Sequence, residues 1–191
     1  VDRDNDLALK VIENDKTVNS LDVEIDEESI RLIALRQPKA SDLRLITTAM
    51  KITTDLERMG DFAVNIAERA IELNTEPILK PYIDIPRMSQ IAQGMIRDAL
   101  DAFVRKDKKL AMDVIMRDDE VDDLKHEVLR ELAFFMVQDP TTVTRAMKIS
   151  FVAQYLERIG DHATNICEMV IYLIEGKIIR HIEFKDEAHK K

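Results

Sequence analysis

One acidic phrase occurs twice in the chain. The first copy reads Leu56-Glu57-Arg58-Met59-Gly60-Asp61, with Asn65-Ile66 and Glu68 after it. The second reads Leu156-Glu157-Arg158-Ile159-Gly160-Asp161, with Asn165-Ile166 and Glu168 after it. On a helix, residues four apart share a face, so Glu57 lies over Asp61 and Glu157 over Asp161. Asn65 and Glu68, and Asn165 and Glu168, prolong each stripe. Like charges at this spacing repel, and near a helix boundary they also lose hydration. A hard cation with oxygen ligands relieves both costs. Mg²⁺, Mn²⁺, Ca²⁺ and iron all suit such carboxylates.

Further acids stand ready as partners. Asp22 and Asp26 are four apart, with Glu24 between them, and Asp118 and Asp122 repeat the spacing beside Asp119 and Asp123. If these segments pack on the motif helices, facing carboxylate pairs form, and four or more carboxylates can hold more than one ion. His162 directly follows Asp161 and would add a softer donor for zinc or iron. The plainer reading is a solvated acidic surface. Acid pairs four apart are common in an acidic chain, Arg58 and Arg158 can make surface ion pairs of little value, and duplication copies packing as readily as sites. Gly60 and Gly160 each cost about 1 kcal/mol against alanine in a helix interior. Close helix packing is the usual reason to keep such a glycine, and an approaching ligand is the other.

The elements that must carry these residues are helices. Apolar residues recur at three and four from Asp6 to Ala34, and Pro38 breaks the pattern. Ser41 is a candidate N-cap for the next helix, whose seam runs Leu45, Ala49, Ile52, Leu56, Met59, Ala63, Ile66, Ala70 and Leu73. Residues 77–86 read as a linker. Helices then follow over 86–104, 107–135 and 142–175, with Thr141 or Thr142 as the cap of the last. Gly176 ends it, and 177–191 read as a loose charged tail. The duplication reaches past the motif: Val11, Asp15, Val18 and Leu21 match Val114, Asp118, Val121 and Leu124. The second repeat thus has three helices and the first only two. A third is expected in an N-terminal piece ahead of Val1, or another subunit covers the open face.

Composition narrows the function. The 191 residues carry a net charge of −9, aromatics are 5% and tryptophan is absent, which argues against nucleic-acid partners. No run of about 18 apolar residues exists to span a membrane, and no signal-peptide pattern is present. The single Cys167 allows no intrachain disulfide and reads as a buried, inert thiol; the methionines read as core filling. No phosphate loop, serine–histidine constellation or HExxH motif appears, so an enzyme is poorly supported. A diiron bundle wants Glu-x-x-His on two helices, whereas Glu157 lies five residues before His162. A hydrolase with a dinuclear centre would need an open pocket beside the ions.

Several stretches together carry a specific resemblance: Glu24-Ile25-Asp26-Glu27, Leu32-Ile33-Ala34-Leu35-Arg36-Gln37-Pro38, Asp42-Leu43-Arg44-Leu45-Ile46, Lys51 to Asp61, and Tyr155 to Ile166. Over almost its whole length the chain resembles the PhoU family of phosphate-transport regulators. The resemblance implies an all-α fold of two tandem three-helix bundles. Here these are a partial first repeat over 1–79 and a second over 86–176, with the 177–191 tail. It also implies metal-binding acidic motifs, holding multinuclear iron or zinc clusters in some members and magnesium or manganese in others. The motif carries directly to Glu57, Asp61, Glu157 and Asp161, and less directly to Asp22, Asp26, Asp118 and Asp122. Asp122 aligns with Asn19, and Asp22 with Lys125, which leaves the two sites free to differ in affinity and nuclearity. The implied role is that of a cytoplasmic, non-enzymatic repressor of the phosphate-starvation response. Such a protein would link the phosphate ABC transporter ATPase to a membrane sensor histidine kinase. The incomplete first repeat adds an expectation of subunit pairing, as a dimer. The alternative is a structural adaptor without tightly bound metal.

Overall fold

A computed structural model describes residues 2–176; the tail expected over 177–191 lies outside the described residues. Five helices follow in order: α1 (Asn5–Arg36), α2 (Ala40–Asn74), α3 (Asp84–Arg105), α4 (Lys108–Gln138) and α5 (Val143–Glu175), with a 3₁₀ turn at Pro140–Thr142. The duplication extends to the caps. The Asp4 carboxylate accepts from the Leu7 N–H at the start of α1, and Asp107 accepts from Leu110 N–H at the start of α4. Each satisfies one of the amides that the first turn of a helix leaves unpaired.

Other expected caps are corrected. The residue before α2 is Lys39, which makes no side-chain cap, and Ser41 lies inside the first turn. Asp139 caps the 3₁₀ turn, while the Thr142 hydroxyl donates back to the Phe135 and Asp139 carbonyls instead of capping α5. The linker is shorter than its prolines suggest. α3 begins at Asp84, because a proline in the first turn lacks only an N–H that would have no helical partner there.

α3, α4 and α5 close into a bundle whose axis is filled by Met88, Met95, Val114, Val121, Val128, Leu132, Ile149 and Ile166, all buried. Met59 and Met169 are buried too, but Met147 is exposed, contrary to its expected core role. α5 touches α2, α3 and α4, so it is buried on more sides than any other helix. α1 packs, among the described residues, on α2 alone. The consequence shows at matched positions. Leu124 is 3% exposed and Leu21 is 50% exposed, because α3 covers α4 and no described helix covers that face of α1. The uncovered side opens into a groove of about 430 Å³, with Leu7, Val11, Met59, Ala67, Ala92 and Ile96 among its walls.

Polar contacts fasten the segment between α2 and α3. The Arg3 guanidinium donates to the carbonyls of Leu73 (3.2 Å) and Glu76 (2.6 Å) and to that of Asn74, neutralising the negative end of α2. Arg145 donates to the Pro77 carbonyl at 3.1 Å, Lys148 to Glu76 at 3.0 Å, and buried Lys80 pairs with Glu131. No helix among the described residues is long and apolar enough to cross a membrane.

Candidate metal centres

The second motif is built where α4 crosses α5. Gly160 is buried, and a Cβ placed on it would lie 3.3 Å from Asp118 Oδ1. The missing side chain therefore lets the Asp118 carboxylate rest against the α5 backbone. Burial pushes the Asp118 carboxyl up to about 7 from an ordinary 3.8, reinforced by Asp161, Asp122, Asp119 and Glu157. Asp161 is raised as well, by burial first and then by Glu157. Asp118, Asp122, Glu157 and Asp161 thus form one cluster drawn from two helices. The Lys125 ammonium crosses it, donating to Asp122 Oδ1 at 2.9 Å and Glu157 Oε1 at 2.8 Å. Burial opposes the lysine charge, but the bonds to Glu157 and Asp122 outweigh it and hold the lysine above its usual pKa. Arg158 stands at the rim, exposed, 3.6 Å from Asp161 and 3.9 Å from Glu157.

The first motif repeats this framework on α1 and α2. A Cβ on Gly60 would lie 3.3 Å from Asp15 Oδ1 and 3.4 Å from Val18 Cγ1. Asp15 Oδ1 is buried and accepts no hydrogen bond, while Oδ2 accepts from Asn19 at 2.8 Å. Exposed Arg58 lies 3.2 Å from Asp61 and 3.6 Å from Glu57. Asp15 is the residue that motif reasoning missed. The signal was available, because Asp15 and Asp118 occupy matched positions of the duplication, but Asp15 has no acidic neighbour four residues away. Asp22 occupies the position of Lys125, and Asp26 that of Leu129; both are half-buried.

The secondary candidates go elsewhere. His162 Nδ1 lies 2.7 Å from Asp55 Oδ1, and its ring centroid is 5.7 Å from that of Phe62. It ties α5 to α2 and turns away from Asp161. Asn165 approaches the same Asp55 oxygen at 3.5 Å. Glu68 is exposed, 3.7 Å from Arg69; Asn65 and Glu168 are half-buried. Cys167 is buried, and burial pushes its thiol up to about 12, which leaves it an inert core residue.

Among the described residues, no three His, Cys, Asp or Glu side chains surround a common point at metal-ligand spacing. Lys125 bridges Asp122 and Glu157 instead, and Arg58 and Arg158 lie beside Asp61 and Asp161. The residues nonetheless suit a hard cation. The donors are all carboxylate oxygens, two glycines make room for one carboxylate each, Asp15 Oδ1 is an orphaned buried acceptor, and an ammonium already bridges acids from two helices.

Comparison with known proteins agrees with the duplicated architecture. The family model described as the PhoU domain matches residues 1–70 and 85–170. A phosphate-specific transport system accessory protein PhoU homolog from Aquifex aeolicus is 50% identical over 183 residues, spanning 96% of this chain and 83% of the relative. The crystal structure of PhoU from Pseudomonas aeruginosa superposes with a TM-score of 0.89 at 45% identity, covering 92% of this chain and 85% of that one. The phosphate transport system regulatory protein PhoU from Streptococcus pneumoniae gives a TM-score of 0.84 at 26% identity, covering 93% and 83%. With its duplicated helices and its two glycine-backed acidic motifs, the chain belongs to the PhoU family.

Proposed function

We propose that the chain is a metal-binding regulator of phosphate uptake, acting without catalysis as an adaptor between the phosphate ABC transporter ATPase and a sensor histidine kinase in the cytoplasm. The relatives are described as accessory or regulatory proteins of phosphate transport, which supports the regulatory half. The metal half rests on one observation: each repeat lays an aspartate against a helix glycine, beside the Glu and Asp of its motif. A bound hard cation would lower the negative charge of each cluster and offer open coordination positions to a partner or to phosphate. The chain's own residues fix where that happens. Gly60 and Gly160 admit Asp15 and Asp118, and the helix spacing aligns Glu57 with Asp61 and Glu157 with Asp161. The open face of α1 favours pairing with a second copy as a dimer.

The test is substitution of both motifs, Glu57→Gln with Asp61→Asn and Glu157→Gln with Asp161→Asn. In a bacterial strain lacking its own PhoU protein, the parent chain is expected to silence a phosphate-starvation reporter in phosphate-rich medium, and the quadruple variant is expected to fail. Equal silencing by both would reject the metal half. A second reading, an adaptor without tightly bound metal, draws support from Lys125, Arg58 and Arg158, which already offset part of the acidic charge. Elemental analysis of protein prepared without chelators separates the two readings, since this one expects no stoichiometric metal.

A further inference from the structure

The end of α2, the linker after it, the start of α3 and α5 frame a cavity of about 140 Å³. Its walls are largely aliphatic, with Ile66, Leu73, Ile149 and Val152 among them. The duplication shows where the space comes from. Ala70 lines the cavity, and the matched residue of the second repeat is Val170, which is fully buried. The first repeat therefore lacks side-chain volume at a point that the second repeat fills. A dry aliphatic cavity of about 150 Å³ takes up a benzene ring.

The polar part of the wall offers donors. Arg3 and Tyr82 both line the cavity. The turn fixes Arg3: its backbone is left-handed (φ 55°) ahead of the Asp4 cap, as that of Lys106 is (φ 54°) ahead of the Asp107 cap. One terminal nitrogen, Nη2, donates to the carbonyls of Leu73, Asn74 and Glu76. Those bonds leave Nη1 and Nε for a ligand, and a guanidinium has no acceptor. Burial pushes the Tyr82 hydroxyl above its ordinary pKa, while Arg3 and Arg145 pull the other way. The hydroxyl thus stays protonated at neutral pH, beside two positive charges. Apolar walls with a few converging donors are the usual make-up of a small-molecule site.

We propose that this cavity binds a small carboxylate whose apolar body, an aromatic ring or a branched chain, is about the size of benzene. The body fills the space beside Ala70, and the carboxylate accepts from the Arg3 guanidinium and the Tyr82 hydroxyl. Arginine suits a carboxylate because its fork offers two parallel N–H donors. An uncharged ring leaves those donors unmatched, and inorganic phosphate leaves the aliphatic walls empty. Leu73 lies about 18 Å along α2 from Asp61, at about 1.5 Å per residue, so the site is separate from the acidic motifs and does not depend on metal. A ligand there touches both α2 and α5, and so braces one repeat against the other.

The probe is 4-fluorobenzoate, titrated with the full chain and followed by ligand-observed fluorine NMR. One-to-one binding is expected, with a Kd on the order of 1 mM or tighter. 4-Fluorotoluene keeps the ring without the charge and should bind at least about tenfold more weakly. Ala70→Leu fills the cavity and should abolish binding while the thermal melt stays in place or rises. Arg3→Gln should weaken binding by roughly tenfold to a hundredfold, the range that a lost charged hydrogen bond gives, and Tyr82→Phe by roughly threefold to tenfold. Tyr82→Phe carries the test if either other variant fails to fold by circular dichroism. No binding by the parent chain, or binding that every folded variant retains unchanged, overturns the proposal. Equal affinity for 4-fluorotoluene overturns it too, because the donors then recognise nothing.

Discussion

The raised carboxyl of Asp118 makes stability depend on pH in a way that one substitution removes. Its pKa rises from 3.8 in the unfolded chain to about 7 in the folded one. Below about pH 4 the group is protonated in both states and costs nothing. Between about pH 4 and 7 the unfolded chain gives up the proton first, so stability falls as pH rises; above about 7 the whole penalty is in place. A shift of this size is worth up to about 4 kcal/mol, and because Asp118 is only half-buried, solvent screening reduces this to about 2 kcal/mol. Asp118→Asn keeps the shape and has no charge to lose. Thermal melts followed by far-UV circular dichroism, in the presence of a chelator, should show the variant more stable than the parent at about pH 8 by roughly 4–8 °C, with little difference near pH 4. Excess Mn²⁺ at the higher pH should recover the parent's deficit and leave the variant less affected. Parallel pH profiles for parent and variant would refute the claim that Asp118 sits ionised at a cost in an acidic, desolvated cluster.

Two other substitutions probe the framework. Gly160→Ala places a methyl 3.3 Å from Asp118 Oδ1 and 3.7 Å from Met95 Cε; metal-free stability is expected to change by under about 1 kcal/mol, since helix propensity offsets the crowding, while Mn²⁺ affinity at the second site falls in a titration. Leu124→Ala should cost roughly 2–5 kcal/mol in urea denaturation, and Leu21→Ala, at the matched but exposed position, under about 1 kcal/mol; equal costs would show that the α1 face is covered in solution.

Helix periodicity made the fold legible. The seams of α2 and α5 can be read from spacing alone, since each reflects local geometry repeated in both halves, whereas the Asp4 and Asp107 caps emerge only in the structure. The glycine within each motif also pointed to close approach, but spacing could not say of what. Asp15 escaped because its partner is a glycine on another helix. Lys125 was visible only as a mismatch between repeats; its bridge between Asp122 and Glu157 is a tertiary contact. His162 misled for the opposite reason. Its neighbour in sequence is Asp161, but one step along a helix turns the side chain by about 100°, which aims it at Asp55 on α2.

The central claim is that acids one turn apart on adjacent helices meet around a shared cation in each repeat. Anomalous scattering from crystals grown with Mn²⁺ tests it most directly. One peak is expected between α1 and α2 beside Asp15, Glu57 and Asp61, and another between α4 and α5 beside Asp118, Glu157 and Asp161, with Lys125 swung away. No peak at either cluster at saturating Mn²⁺ would contradict the account.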